Sequence, residues 1–211
     1  MTRKKMISLA LAICLALALA IPASAVVDKS CDTEQTTYYP IVATSNWSEM
    51  GRADRVAGCQ LSPSYASSLS TDKLLNAVLE YPFMIDLYAF NSYEEGFQHV
   101  SEEFPLLKTL AARNDFGEVL INTYQNATVP VSENDNQLSD NILTLSLLEI
   151  LSAQPEMTNH LNNEELASLL ELVDEKYLEK RNHGDIIRGG LDTFYDAIGE
   201  NPDSAIAVMA N

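Results

Sequence analysis

The chain has 211 residues, with 30 Asp and Glu against 13 Lys and Arg, a formal charge of −17, and 46% hydrophobic residues. That apolar fraction is ordinary for a folded protein and excludes charge-driven disorder. So acidic a surface repels phosphate backbones and anionic headgroups, which excludes nucleic acid and bare lipid as direct partners.

The first predicted element is an export signal over residues 1–25. Arg3, Lys4 and Lys5 form a positive start, residues 6–21 are apolar, and Pro22-Ala23-Ser24-Ala25 offers small residues at the positions a signal peptidase reads. An uncut anchor is the alternative. The apolar run of about 16 residues is short for a bilayer core of roughly 30 Å and ends in Ala-x-Ala, which favours cleavage after Ala25. Three of the 13 basic residues leave with the signal, so 10 face 30 acidic ones and the formal charge becomes −20. The expected location is secreted, or the cell envelope and extracellular space, with no direct membrane binding once the signal is cut. Cys14 leaves with the apolar run, and Ile13 before it is not the small residue a lipid-attachment site wants.

Residues 26–46 are polar and threonine-rich without helical period, which predicts an extended, mobile N-terminal arm. The weak alternation over residues 37–43 is the only strand signal of any length. Cys31 in this arm and Cys59 beyond it are the two remaining cysteines. Outside the reducing cytosol two cysteines most simply pair, and closing their loop adds about 3.5 kcal/mol in the chain-entropy model. The alternative is a buried Cys59 packed as a small hydrophobe and a loose Cys31.

From residue 47 to 198 the pattern is one helical domain, followed by a C-terminal tail at 199–211. Ser70 or Thr71 caps a helix over 72–81 with Leu74, Leu75, Val78 and Leu79 on one face and Pro82 as its stop. Asn91 or Ser92 caps the next, whose face is Tyr93, Phe97, Val100 and Phe104. Pro105 opens 106–113, and Asn114 or Asp115 opens a helix with Phe116, Val119, Leu120 and Tyr124 inside. Helices this short are marginal alone, so they must hold one another in a bundle. Residues 127–137, with a proline and a polar acidic run, read as the loop joining two halves, 47–126 and 138–198.

In the second half, Leu138, Ile142, Leu143, Leu145, Leu147, Leu148, Ile150 and Leu151 nearly encircle one helix, which predicts a central buried element ended by Pro155. Asn162 or Asn163 caps a longer helix. Its predicted inner face is Leu166, Leu169, Leu170, Val173 and Tyr177, with Lys176, Lys180 and Arg181 placed against the C-terminal dipole. Gly184 ends it, and a last helix runs from about residue 185 to 198 on Ile187, Leu191, Phe194 and Ile198. The expected fold is all-α, a compact bundle of short helices in two halves. Leu74-Leu75 before Pro82-x-Met84 echoes Leu147-Leu148 before Pro155-x-Met157, a layout that proline-stopped helices also produce by chance.

Few constellations carry chemistry. Ser70-Thr71-Asp72-Lys73 and Ser132-Glu133-Asn134 match the first two motifs of penicillin-recognising serine enzymes, but no K-T-G follows and no strand exists to hold it. Glu133, Asp135 and Asp140 lack the glycine and twelfth-position glutamate of an EF-hand. His99 with Glu102 and Glu103 lacks a second histidine, and Gly189-Gly190 follows no strand. Without a CxxC, and with His99, His160 and His183 scattered, no metal site or cofactor is expected. Carboxylate pairs able to cut glycosides cannot be chosen from 30 acids by spacing. Trp47 reads as a core anchor or as an aromatic contact for a partner.

Trp47-Ser48-Glu49-Met50, Cys59-Gln60-x-x-Pro63, Ser70-Thr71, Val78-Leu79-x-Tyr81-Pro82, Asn91, Gly96-Phe97, Phe104, Leu107, Leu110 and Arg113-Asn114-Asp115 resemble an uncharacterised domain of exported bacterial proteins of gut-type Gram-positives. Leu148-Glu149-x-Leu151-x-x-Gln154-Pro155 and residues 176–180 resemble its second half. The resemblance covers most of residues 47–180 and implies an all-helical exported domain with no known activity and no catalytic residue. With no further domain in the sequence, it is expected to act alone or through partners, an exported protein or a cell-wall component. The expected role is non-catalytic binding, with Trp47, Tyr81 and Arg113 as candidate surface. The alternative is a hydrolase of cell-wall or glycan polymers using an unidentified carboxylate pair.

Overall fold

The computed structural model describes residues 37–129, 138–183 and 192–210. The expected export signal, Cys31, the acidic part of the joining loop and the start of the predicted last helix lie outside them. Among the described residues every regular element is a helix, as the caps and periods predict. In chain order these are α1 (Arg52–Gly58), α2 (Pro63–Ser68), α3 (Thr71–Leu79), α4 (Tyr93–Glu103), α5 (Leu106–Ala111) and α6 (Phe116–Asn126). The second half supplies α7 (Leu138–Ala153), α8 (Pro155–Thr158), α9 (Asn163–Asn182), α10 (Thr193–Glu200) and α11 (Ala205–Ala210). Short 3₁₀ turns at Pro40–Ala43, Trp47–Glu49 and Met84–Tyr88 fill the connections.

Local chemistry sets the ends. Ser62 caps α2 by accepting from Tyr65 N at 3.2 Å, and Ser92 caps α4 by accepting from Glu95 N at 3.1 Å. A capping box opens α9: Asn162 Oδ1 accepts from Glu165 N, and Glu165 Oε2 accepts from Asn162 N at 2.8 Å. α4 has a second, tertiary cap, because Glu200 at the end of α10 accepts from Tyr93 N at 2.7 Å and Glu94 N at 3.3 Å. A carboxylate at a helix N-terminus is also favoured by the helix dipole.

The faces behave as their periods require. Leu74, Leu75, Ala77 and Val78 of α3, Phe97 and Val100 of α4, and Phe116, Leu120 and Tyr124 of α6 are buried. Around α7, Leu145, Leu147, Leu148, Ile150, Leu151 and Ala153 are buried together with Ser146, Glu149 and Ser152, so this helix is the axis of the molecule. It packs on α10, α6 and α3, and a single cluster of buried side chains runs from Leu74 to Ile206 through both halves. The two proline-stopped layouts place Leu74, Leu75, Met84, Leu147, Leu148 and Met157 alike in this core.

Four details depart from the sequence reading. The end of the arm does not run free: Pro40–Ala43 forms a 3₁₀ turn rather than a strand, and buried Tyr39 donates from its hydroxyl to Ala77 O at 2.6 Å. Pro40 sets the φ that such a turn needs. The expected tail is partly a helix, since Ile206 and Ala207 of α11 are buried and Asn159 Oδ1 accepts from Ala205 N. On α9 the buried face is Leu166, Leu169, Leu172, Val173, Lys176 and Lys180, with Tyr177 turned partly outward. Finally, Val129 in the joining segment is buried, and Lys176 Nζ donates to Ala127 O at 2.6 Å, which fastens the start of that segment to α9.

Candidate functional site

The three residues expected to form a binding surface are not brought together. Tyr81 is 2% exposed and stacks on Phe104 with ring centroids 3.7 Å apart and planes within 4°. Its hydroxyl is buried without a partner, and desolvation raises its pKa. It is core rather than the expected surface residue, because just beyond the end of α3 its ring enters an aromatic cluster with Tyr39, Phe83 and Phe104. Arg113 is a strut: its Nη2 donates to Ala66 O at 3.0 Å and to Leu69 O at 3.2 Å, holding the α2–α3 turn, so its guanidinium is spent inside the fold. Trp47, half-buried like Arg113, packs against the core. It lies 6.2 Å from Phe83, with the Arg55 guanidinium 5.2 Å over its ring, while Arg52 covers Phe83 at 4.8 Å. Such cation–π pairs order a partly exposed aromatic edge.

Cys59 is 1% exposed, and burial pushes its thiol up to about 11. It lies within electrostatic reach of Tyr39 and Tyr81, where the arm docks. Its expected partner, Cys31, is outside the described residues.

A half-open cleft of about 530 Å³ lies between α4, α5 and α8. Phe97 and Ser101 lie one turn apart on one face of α4, and Glu156 of α8 and His160 in the turn after it supply the second-half wall. Phe97, Leu107, Ala111 and Met157 form an apolar floor, all buried. Gln98, Glu102, Lys108, Glu156 and His160 stand exposed at the rim. Ser101 lines the same cleft, and its Oγ is buried with no hydrogen-bond partner. An unsatisfied buried hydroxyl costs about 1–3 kcal/mol. Ligand sites are commonly this combination of apolar floor and a few convergent polar atoms. No sequence signal marks the cleft, because it assembles from three helices of both halves.

A second polar cluster is closed to solvent. Glu149 at the centre of α7 is 1% exposed and Lys180 on α9 is 2% exposed; Lys180 Nζ donates to Glu149 Oε1 at 2.8 Å and Oε2 at 2.9 Å. Tyr124 OH of α6 donates to the same Oε1 at 2.8 Å. Desolvation holds the Glu149 carboxyl above its ordinary range, and Lys180 and Tyr124 oppose that shift. The triad ties α6, α7 and α9 together in the core. Among the described residues no helix is long and apolar enough to cross a membrane.

No protein-family model, curated protein or solved structure matches the chain.

Proposed function

We propose that this is an exported, non-catalytic binding domain of the cell envelope or extracellular space, and that the α4–α5–α8 cleft is its ligand site. The observation that carries this is the cleft itself: an apolar floor of Phe97, Leu107 and Met157 beside the unpartnered Ser101 hydroxyl, rimmed by polar side chains. A rim with Glu102 and Glu156 against Lys108 suits a neutral or cationic partner, such as a short peptide segment of an exported protein or of the cell wall. The leader at 1–25 and the resemblance to exported bacterial domains support the location, and the acidic composition argues against nucleic acid and anionic lipid.

The hydrolase alternative gains one specific pair, since Glu102 and Glu156 face the same cleft. The two readings separate by experiment. Amide and methyl NMR shifts recorded while peptidoglycan fragments and short cationic peptides are titrated in should move around Ser101, Ala111 and Met157, with the fragments recovered intact. Shifts confined to other faces would contradict the cleft, and fragments cleaved by the natural protein but not by Glu102→Gln or Glu156→Gln would make it an enzyme.

A further inference from the structure

On the opposite side of α4 from the cleft floor, three elements converge on one partly exposed cation position. His99 and Glu103 are four residues apart on α4, hence on the same face, with His99 Nε2 3.9 Å from Glu103 Oε2. Asp86, from the 3₁₀ turn at Met84–Tyr88, completes a set in which one donor atom from each residue lies within 4.8 Å of the others. Arg52 of α1 occupies the centre of charge: its Nη1 is 2.8 Å from Asp86 Oδ2 and its Nη2 is 2.5 Å from Glu103 Oε2. The fold thus already holds a cation between these carboxylates. The imidazole of His99 is positioned as well, with the Phe90 ring packed on it at 4.8 Å between centroids.

We propose that Asp86, His99 and Glu103 form a zinc-class divalent metal site, with Arg52 as its built-in competitor. Tetrahedral zinc bonds nitrogen and oxygen at about 2.0–2.2 Å, which sets its donors roughly 3.4 Å apart. The 3.9 Å between His99 and Glu103 needs only a small side-chain adjustment to meet that spacing. A histidine donor selects borderline metals such as zinc over calcium and magnesium, which take oxygen ligands. Water fills the fourth position. Arg52 is 45% exposed, so its guanidinium, which lies over the Phe83 ring at 4.8 Å, can leave that face for solvent. Metal uptake then exchanges a singly charged cation for a doubly charged one, which neutralises the two carboxylates.

The test is calorimetric zinc titration of the purified protein, read together with NMR of the His99 ring, for the natural chain, His99→Ala, Arg52→Gln and a magnesium control. All these substitutions are at partly exposed positions, and circular dichroism verifies folding. The expected result is one zinc per chain with His99 ring shifts, uptake lost in His99→Ala, no comparable uptake of magnesium, and affinity raised about tenfold in Arg52→Gln, the scale on which groups around the ligands tune a metal site. Zinc taken up equally well by His99→Ala would mean scattered carboxylate binding and overturn the site. So would no uptake by the natural chain, even if Arg52→Gln bound zinc. An Arg52→Gln affinity equal to that of the natural chain would remove Arg52 as competitor.

Discussion

Glu149 and Lys180 show what a buried pair demands of its neighbours. Removing one partner strands a charge in the core, so Glu149→Gln or Lys180→Met should each destabilise the fold by about 3–5 kcal/mol in urea denaturation, whereas the double Glu149→Leu, Lys180→Met change should recover most of that loss. The pH dependence has a definite sign. A carboxyl held above its ordinary range binds protons in the native state before the unfolded state does, so its contribution to stability falls as pH rises through that window. The Lys180→Met deficit should therefore shrink as pH is lowered from neutral into the carboxylate range, and a deficit independent of pH would contradict the stranded charge. Two tyrosines give a second contrast. Tyr39→Phe loses the bond to Ala77 O and should cost about 1 kcal/mol, while Tyr81→Phe removes an unpartnered buried hydroxyl and should be neutral or stabilising. The positions of these lysines were legible in principle: Leu166, Leu169, Val173, Lys176 and Lys180 follow one 3-4-3-4 seam. Composition hides it, because lysines in a last turn read as dipole partners in solvent until the opposing Glu149 is known.

At the level of elements, caps and prolines carry the information. Ser62, Ser92 and Asn162 start helices where side-chain chemistry requires, and the all-round apolar character of α7 marks the central helix before any contact is known. What the sequence could not reveal are caps and faces supplied from far along the chain, such as Glu200 on α4, and a turn at Pro40–Ala43 that tertiary docking of Tyr39 favours over extended pairing. Gly96 tests the packing of α4. A Cβ there would run into the backbone of Leu87 in the preceding 3₁₀ turn, where nothing can move aside cheaply. Gly96→Ala should therefore destabilise by about 1–3 kcal/mol in spite of alanine's better helix propensity. An exposed helical glycine such as Gly199, with open space at that position, should gain from the same change by up to about 1 kcal/mol. Equal effects at the two sites would refute the close approach.

For the whole molecule, one core spanning both halves implies a single cooperative unfolding transition, and the seam between halves is where the cleft opens. The arm bears on the same unit. Tyr39 docks beside Cys59, and Cys31 stands eight residues earlier, close enough in sequence to reach back. If the protein is exported as proposed, we expect a Cys31–Cys59 bond, detected by mass spectrometry without reduction; two thiols that both alkylate after denaturation without reductant would exclude it. The candidate surface drawn from the sequence failed for a physical reason: Tyr81 and Arg113 are spent on packing and on holding a turn, roles that residue type alone cannot separate from binding. The central claim, a domain that holds a ligand in its cleft without transforming it, is tested most directly by co-sedimenting the purified protein with isolated cell walls and glycans while assaying released products. Retention without turnover, weakened by Ser101→Phe, which fills the cleft, is the predicted result. Release of products that a single carboxylate substitution abolishes would contradict it.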